Sequence, residues 1–211
     1  MDHALQLKSY AEVAGNETCA ASDDAAQAYA TLLGWTRSFL MSSHPDLGRT
    51  GDVCPFTARG SRLDTLRFGV SLATGADVAE IRRLMLEAFE AFDDIDHPPR
   101  MGHYRSVIVG FPNCTDAAGL AALGSVQKIL RFKALRRHRM VGLFHPDTEA
   151  TGLWNPAFRP LRSPIPLLAI RMLVENDAAF ALRHAMLVPV YLQRFGVAGG
   201  RRMLAHLTRR T

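Results

Sequence analysis

Residues 166–174, PLLAIRMLV, form an apolar run that a single charge interrupts at Arg171. The run lacks the polar alternation of a half-exposed strand, so it predicts a central strand that is covered on both faces. The β-branched stretch YRSVIVGF at 104–111 predicts a second strand, and DTLRFGVSL at 64–72 and RMVGLFH at 139–145 predict two more. Because 139–145 and 166–174 are consecutive strands, we expect them to pair antiparallel.

Helices are predicted between and around these strands. Residues 75–94 are the clearest case, since their apolar side chains recur on one helical face. Ser22 and Asp23 form a capping signal for the first helix, and Pro189 must kink or interrupt the last long one. The predicted helices cover 22–41, 75–94, 115–138 and 176–195, followed by a short terminal helix. This order predicts an α+β fold, a single-domain sandwich in which helices cover a mixed, mostly four-stranded sheet.

The composition is typical of one folded domain. The chain has 211 residues, of which 48% are hydrophobic and 21% charged, enough for one well-packed core. We therefore expect a single domain over 1–211, with an N-terminal helical segment (1–42), a core (43–185) and a C-terminal helical segment (186–211).

Composition also limits location and partners. No apolar run approaches the roughly 18 residues that span a bilayer, and the N-terminus lacks the apolar core of a signal peptide. Three widely spaced cysteines without a CxxC pair (Cys19, Cys54 and Cys114) favour a reducing cytoplasm over disulfides or a zinc ribbon. The net charge is +5, but its basic runs lack interleaved aromatic residues, so nucleic acid is not expected. The expected partner is a small-molecule substrate and not a membrane. The sequence leaves open whether the chain forms a homodimer.

The segment HPDLGRTGDVCPF at 44–56 concentrates turn-forming residues around one thiol. Gly48, Gly51 and Pro55 force turns on both sides of Cys54. A cysteine on such a loop can point into a cavity, where its thiolate ligates a soft metal or a heme iron, or acts as a nucleophile. His44 is close enough in sequence to reach the same site. The alternative is a buried, inert cysteine and an exposed loop histidine.

The long link from 145 to 165 is the second candidate region. His145 stands where a strand runs out into this link, and Trp154, Phe158, Arg159 and Arg162 follow. Aromatic walls with arginine forks suit a flat, anionic ligand, including heme propionates. The alternative is a proline-rich cover whose aromatic residues plug the core.

Arg171 is the third candidate, because a charge in a central strand has to be paired or has to meet a ligand. Asp177 and Glu175 are nearby candidates for a structural partner. The functional alternative is a carboxylate clamp in the same pocket as His145.

The two motifs, HPDLGRTGDVCPF and GLFHPDTEATGLWNPAFRPLRSPIPLLAIRMLVENDAAF, together resemble an uncharacterised microbial domain family found near natural-product biosynthesis genes. The resemblance covers about residues 40–185. A more distant similarity is to YqcI/YcgG-type heme proteins, where VCPF and FHP match in outline. It implies a heme iron and an oxidative or nitrogen-centred reaction on a small amino-acid-like substrate.

The first functional hypothesis is therefore a heme-dependent oxidoreductase of natural-product biosynthesis. In it Cys54 or His44 binds the metal, Trp154, Phe158, Arg159 and Arg162 hold the cofactor, and His145 and Arg171 are catalytic; His145 is also a candidate iron ligand. Two alternatives stay open. One is a cofactor-free thiol enzyme with Cys54 as nucleophile and His145 as base. The other is a non-catalytic domain that binds a metabolite through its arginine-rich loop.

Overall fold

A mixed sheet of five strands lies at the centre of the computed structural model, which describes residues 4–16, 23–183 and 185–208. The spatial order is β1-β2-β3-β5-β4; only β2 and β3 run parallel. The strands are β1 Lys8–Ser9, β2 Leu66–Val70, β3 Ser106–Gly110, β4 Arg139–Phe144 and β5 Leu167–Met172. The predicted α+β class with a mixed, helix-covered sheet is confirmed, as is the antiparallel pairing of β4 with β5. The fifth strand, β1, has two residues, too few for an alternating pattern to mark it.

Seven helices surround the sheet in the described part of the chain. They are α1 Tyr10–Gly15, α2 Asp24–Trp35, α3 Thr57–Arg62, α4 Val78–Ala91, α5 Ala117–Arg136, α6 Ala178–Arg183 and α7 Leu187–Thr208. Asp23 caps α2 by accepting from the Ala25 amide, whereas Ser22, like Cys19, lies outside the described residues. A π-helical turn, Thr36–Leu40, continues α2.

The helix predicted over 176–195 is interrupted before Pro189 and not at it. One helix ends at Arg183 and the next begins at Leu187, so Pro189 falls in the first turn of α7. There the missing N–H has no helical partner to lose. The kink inside α7 lies instead at Gly196, with φ 52° and ψ −137°. No helix among the described residues has the length and apolarity to cross a bilayer.

The first face of the sheet is fully covered by helices. Its strand residues, such as Val107 and Ile170, pack in one buried cluster with Phe89 of α4 and Leu123 of α5. Arg139 is buried at the edge of this cluster, where its guanidinium stacks on aromatic rings and hydrogen-bonds to the main chain. This cluster is the larger of the two that flank the sheet and holds α4 and α5 in place.

The second face is covered by helices on one side only. There α2 packs on Phe68 and Ile108 through Leu32 and Leu33. The cross-strand register places three rows of side chains on this face: Ser106, Arg171 and Met140; Ile108, Ala169 and Gly142; Gly110, Leu167 and Phe144. Over the β5–β4 part of these rows lie loops and the end of α7, and the space between them is a cavity.

The close approach of α5 to the turn before it predicts opposite effects for two glycines in one helix. A Cβ on Gly119 would lie 2.5 Å from the Cys114 Cα, whereas a Cβ on Gly124 would meet only Leu143 at 4.0 Å. Gly119→Ala should lower the free energy of unfolding by about 1–3 kcal/mol through overpacking. Gly124→Ala should raise it by up to about 1 kcal/mol through helix propensity. Urea unfolding of both variants checks this; equal effects of the two would contradict the packing.

Candidate functional site

The cavity on the second face continues around the β4 edge to residues of α5, such as Gln127 and Arg131, and its whole volume is about 1000 Å³. Its floor is the sheet, and the middle row of that floor, Ile108, Ala169 and Gly142, carries small or apolar side chains. A Cβ on Gly142 would lie 3.0 Å from the Phe144 ring, so this ring leans over the glycine. The floor is therefore flat and apolar in its centre, which suits a flat ligand body.

The loop that carries Cys54 forms one wall of the cavity. The Cys54 amide donates to the Leu40 carbonyl at 2.9 Å, and the Val53 amide donates to the Ser42 carbonyl at 2.9 Å. These bonds fasten the loop to the end of the π-helical turn. The Cys54 side chain is half-buried and lines the cavity. The predicted position of this thiol, on a tight loop that faces a cavity, is what the structure has.

Two glycines and one arginine shape the loop before Cys54. Gly48 and Gly51 have φ values of 75° and 89°, a region that L-residues with a side chain rarely adopt. Arg49 fills the inside of the turn and donates from Nη2 to the carbonyls of Asp52 and Val53 at 2.9 and 3.1 Å. The turn residues of the motif thus hold the thiol in one position, although none of them contacts it through a hydrogen bond.

Arg171 forms a two-pronged ion pair with Asp177. Its Nη1 and Nη2 each donate to one carboxylate oxygen at 2.7 Å, and Nη1 also donates to the Met172 carbonyl at 2.9 Å. Asp177 is only 5% exposed and accepts a further bond from the Val174 amide at 2.9 Å. Of the two structural partners that the sequence offers, Asp177 is the one used. Arg171 retains 28% exposure and lines the cavity, so its accessible part faces the cavity.

Cys54 and Arg171 lie within electrostatic reach of each other. Burial lowers the pKa of Arg171, but the Asp177 carboxylate and its hydrogen bonds more than offset this, and the Cys54 thiol adds to the upward shift. The net direction is a raised pKa, so the guanidinium stays charged. The site therefore combines a thiol, a cation and an apolar floor.

His44 takes a structural position outside the cavity lining. Its Nδ1 accepts from the Asp46 amide at 3.1 Å and so caps the short 3-10 turn Pro45–Leu47. Its ring stands 4.7 Å from the Phe158 ring, measured between centroids. The structure does not bring His44 and Cys54 together as lining residues of one site. Among the described residues, no three His, Cys, Asp or Glu side chains are grouped in a way that could hold a metal ion.

His145 also lies outside the cavity lining. It follows the last residue of β4, as predicted, and its Nδ1 is buried without a hydrogen-bond partner among the described residues. His145 and Cys54 therefore do not line the same cavity, and the structure does not bring the predicted base and nucleophile together. Among the histidines of the described ranges, His103 and His206 line the cavity.

The loop between β4 and β5 has no regular secondary structure and contributes aromatic walls. Trp154 and Phe158 line the cavity. Arg159 and Arg162 do not; both donate to Glu149, at 3.1 and 3.0 Å. The hydrogen bond from Arg159 is the main cause of the lowered pKa of Glu149. Of the four predicted cofactor-binding residues, the two aromatic ones therefore line the cavity, whereas the two arginines hydrogen-bond to one glutamate outside it.

Several lining residues have no signal in the sequence. Ser106, Met140 and Gly142 share a face with Arg171 and Ala169 only because of the strand register. Period-2 alternation gives the face of each strand separately, but it does not give which strands are neighbours or how they are aligned. The residues from α7, Arg202 and His206, reach the cavity through the kinked helix, and the His206 ring packs edge-on against Trp154 with a centroid distance of 5.9 Å.

The chain belongs to the family described as Domain of unknown function (DUF6875), whose model matches residues 29–205. This span includes the Cys54 loop, all strands except β1, and all the cavity-lining residues except His206. No curated protein and no solved structure matches the chain.

Removing Asp177 should strongly destabilise the protein. Asp177→Ala leaves the Arg171 charge in a largely buried position without its partner, so we expect a loss of about 3 kcal/mol in the free energy of unfolding. The control is Glu149→Ala, which removes an exposed ion-pair partner of Arg159 and Arg162 and should change stability little. Chemical denaturation measures both free energies of unfolding. Equal losses would show that the Arg171–Asp177 pair contributes no more to stability than an exposed ion pair does.

The cysteines should differ in reactivity. Cys114 is fully buried and its thiol donates to the Ala73 carbonyl, and burial raises its pKa, so little thiolate forms at neutral pH. Cys54 is more accessible and lies near Arg171. Iodoacetamide should therefore alkylate Cys54 well before Cys114 in the folded chain. Peptide mass spectrometry over time gives the order, and alkylation of Cys114 first would contradict the assignment of the cavity.

Proposed function

We propose that the chain is a heme-dependent biosynthetic enzyme that carries out an oxidative or nitrogen-centred reaction on a small amino-acid-like substrate. Heme would bind in the cavity with the Cys54 thiolate as its iron ligand. The observation that carries this proposal is that Cys54 and Arg171 face one cavity with a flat, apolar floor. The resemblance to heme proteins around VCPF is the second, weaker support.

The donor chemistry of the cavity fits a heme. Its volume of about 1000 Å³ is at the upper end of ordinary ligand pockets. Cysteine thiolate is an established protein ligand of heme iron. Trp154 and Phe158 supply apolar walls, and Arg183 lines the cavity beside α6, where it can meet a propionate. Arg202 also lines the cavity, but it already donates to Glu175 and Asn176. Arg159 and Arg162 are less suited to binding propionates, because each guanidinium already donates a hydrogen bond to Glu149 and neither lines the cavity.

Bound heme supplies one-electron and oxygen chemistry, and the residues of this chain prepare the site for it. The Arg171 guanidinium lies within electrostatic reach of Cys54 and places a positive charge beside the proposed iron ligand. The apolar row of Ile108, Ala169 and Gly142 excludes water from the floor. Asp177 holds the Arg171 guanidinium at the floor, where it can orient an anionic substrate.

A cofactor-free thiol enzyme is the second candidate, and the proximity of Arg171 to Cys54 is the observation that favours it. Cys54 would be the nucleophile, and the cation would bind a substrate carboxylate beside it. It has less support than heme because His145, its predicted base, does not line the cavity; His103 or His206 would have to serve instead.

A hemin titration tests the proposal and separates the two candidates. Heme-free chain should bind hemin in a one-to-one ratio and give a Soret band with the features of thiolate ligation. Cys54→Ala should remove those features and weaken hemin binding by about tenfold or more.

Three variants are matched controls for this titration. Cys114→Ala removes a thiol outside the cavity, and His44→Ala and His145→Ala remove the other candidate ligands; all three should leave the spectrum unchanged. A folded wild type without a Soret band, or a Cys54→Ala spectrum identical to that of the wild type, contradicts heme ligation by Cys54.

A further inference from the structure

We infer that one edge of the Arg171 guanidinium, together with the Ser106 hydroxyl, forms a subsite for a carboxylate in the cavity. The inference deepens the proposed function by naming the ligand class of the same site. It rests on that function for the reaction, but binding of the carboxylate requires only the chain itself.

The hydrogen bonds of Arg171 leave one edge of the guanidinium without an acceptor. The inner hydrogens of Nη1 and Nη2 point at Asp177, and Nη1 uses its outer hydrogen on the Met172 carbonyl. A guanidinium has five N–H donors in a fixed plane. The two that remain, on Nε and Nη2, lie side by side, and neither has a partner among the described residues.

This edge is accessible from the cavity. Arg171 lines the cavity, and its Nε, which has no hydrogen-bond partner among the described residues, is not among the fully buried polar atoms. Parallel N–H groups of this kind bind both oxygens of a carboxylate at once, which a single oxygen or an amide cannot match. The Asp177 contact fixes the plane of the guanidinium, so the free edge is preorganised.

Ser106 supplies a further donor beside Arg171 on the same sheet face. It is the direct cross-strand partner of Arg171 between β3 and β5, so both side chains stand on the same face, and Ser106 also lines the cavity. The Ser106 amide donates to the Thr65 carbonyl, but the Ser106 hydroxyl makes no hydrogen bond with the described residues. A hydroxyl beside an arginine edge can donate to the same carboxylate.

The neighbours of the subsite restrict what the rest of the ligand can be. Met140 stands on the other side of Arg171 in the same row, and the next row is Ile108, Ala169 and Gly142. Asp177 already offsets the charge of Arg171, which favours a monoanion over a phosphate dianion. The ligand class is therefore a monocarboxylate with an apolar body.

The experiment compares two probes of the same shape, phenylacetate and phenylacetamide, on the full-length chain without heme. Ligand-observed NMR titration or calorimetry gives both dissociation constants. The wild type should bind phenylacetate about tenfold or more tightly than phenylacetamide. Ser106→Ala should reduce that preference about threefold or more.

Two further variants test the arginine edge itself. Arg171→Gln alone would leave Asp177 buried without its partner, so the double variant Arg171→Gln with Asp177→Asn is used; it should lose the preference for the carboxylate. Arg162→Gln, outside the cavity, and Ser125→Ala, on α5, are the matched controls and should keep it.

Each result decides something. No binding of phenylacetate by the wild type, equal binding of the two probes, or a preference that survives in the double variant overturns the inference. A preference that is lost in the double variant, reduced by Ser106→Ala and kept in both controls supports it, and a preference unchanged by Ser106→Ala overturns the part assigned to Ser106. Failure of the hemin titration with this pattern intact would overturn the heme proposal alone, and the reverse outcome would overturn the subsite alone.

Discussion

A charged guanidinium in a central strand is the constraint on which the rest of this site depends. The Arg171 charge cannot remain unpaired on a largely buried sheet face, and Asp177 satisfies it with two hydrogen bonds. This pairing fixes the chain immediately after β5, because Asp177 also accepts from the Val174 amide and directly precedes α6. The direction in which α6 and α7 leave the sheet therefore follows from the pair. Those two helices in turn supply one side of the cavity.

The cavity exists because the two sheet faces are covered differently. On the first face α4 and α5 pack directly on the strands. On the second face α2 covers only the side near β2 and β3, and the remaining floor is covered by the Cys54 loop, the loop between β4 and β5, and the end of α7. Loops and a kinked helix cover a surface less completely than a straight helix does. A thiol and a guanidinium remain accessible there instead of being sealed in a core.

Much of the fold and part of the site could be predicted from the sequence. Strands of β-branched residues and helices with one apolar face are local patterns, so they appear without knowledge of the tertiary structure. Arg171 stood out because it breaks an apolar run, and Asp177 was one of two partners close enough in sequence to pair with it. Cys54 stood out because turn-forming residues surround it.

The rest depends on contacts between distant segments. Ser106 and Gly142 reach the site through strand register, which local patterns do not encode. The pairing of Arg159 and Arg162 with one Glu149 is set by the path of a loop without regular structure. Alkylation of Cys54 by iodoacetamide with and without one equivalent of hemin, with Cys114 as the internal reference, tests whether heme binds in this cavity through the Cys54 thiol. Hemin should protect Cys54 almost completely; an unchanged alkylation rate at Cys54 would show that heme does not occupy this cavity through that thiol.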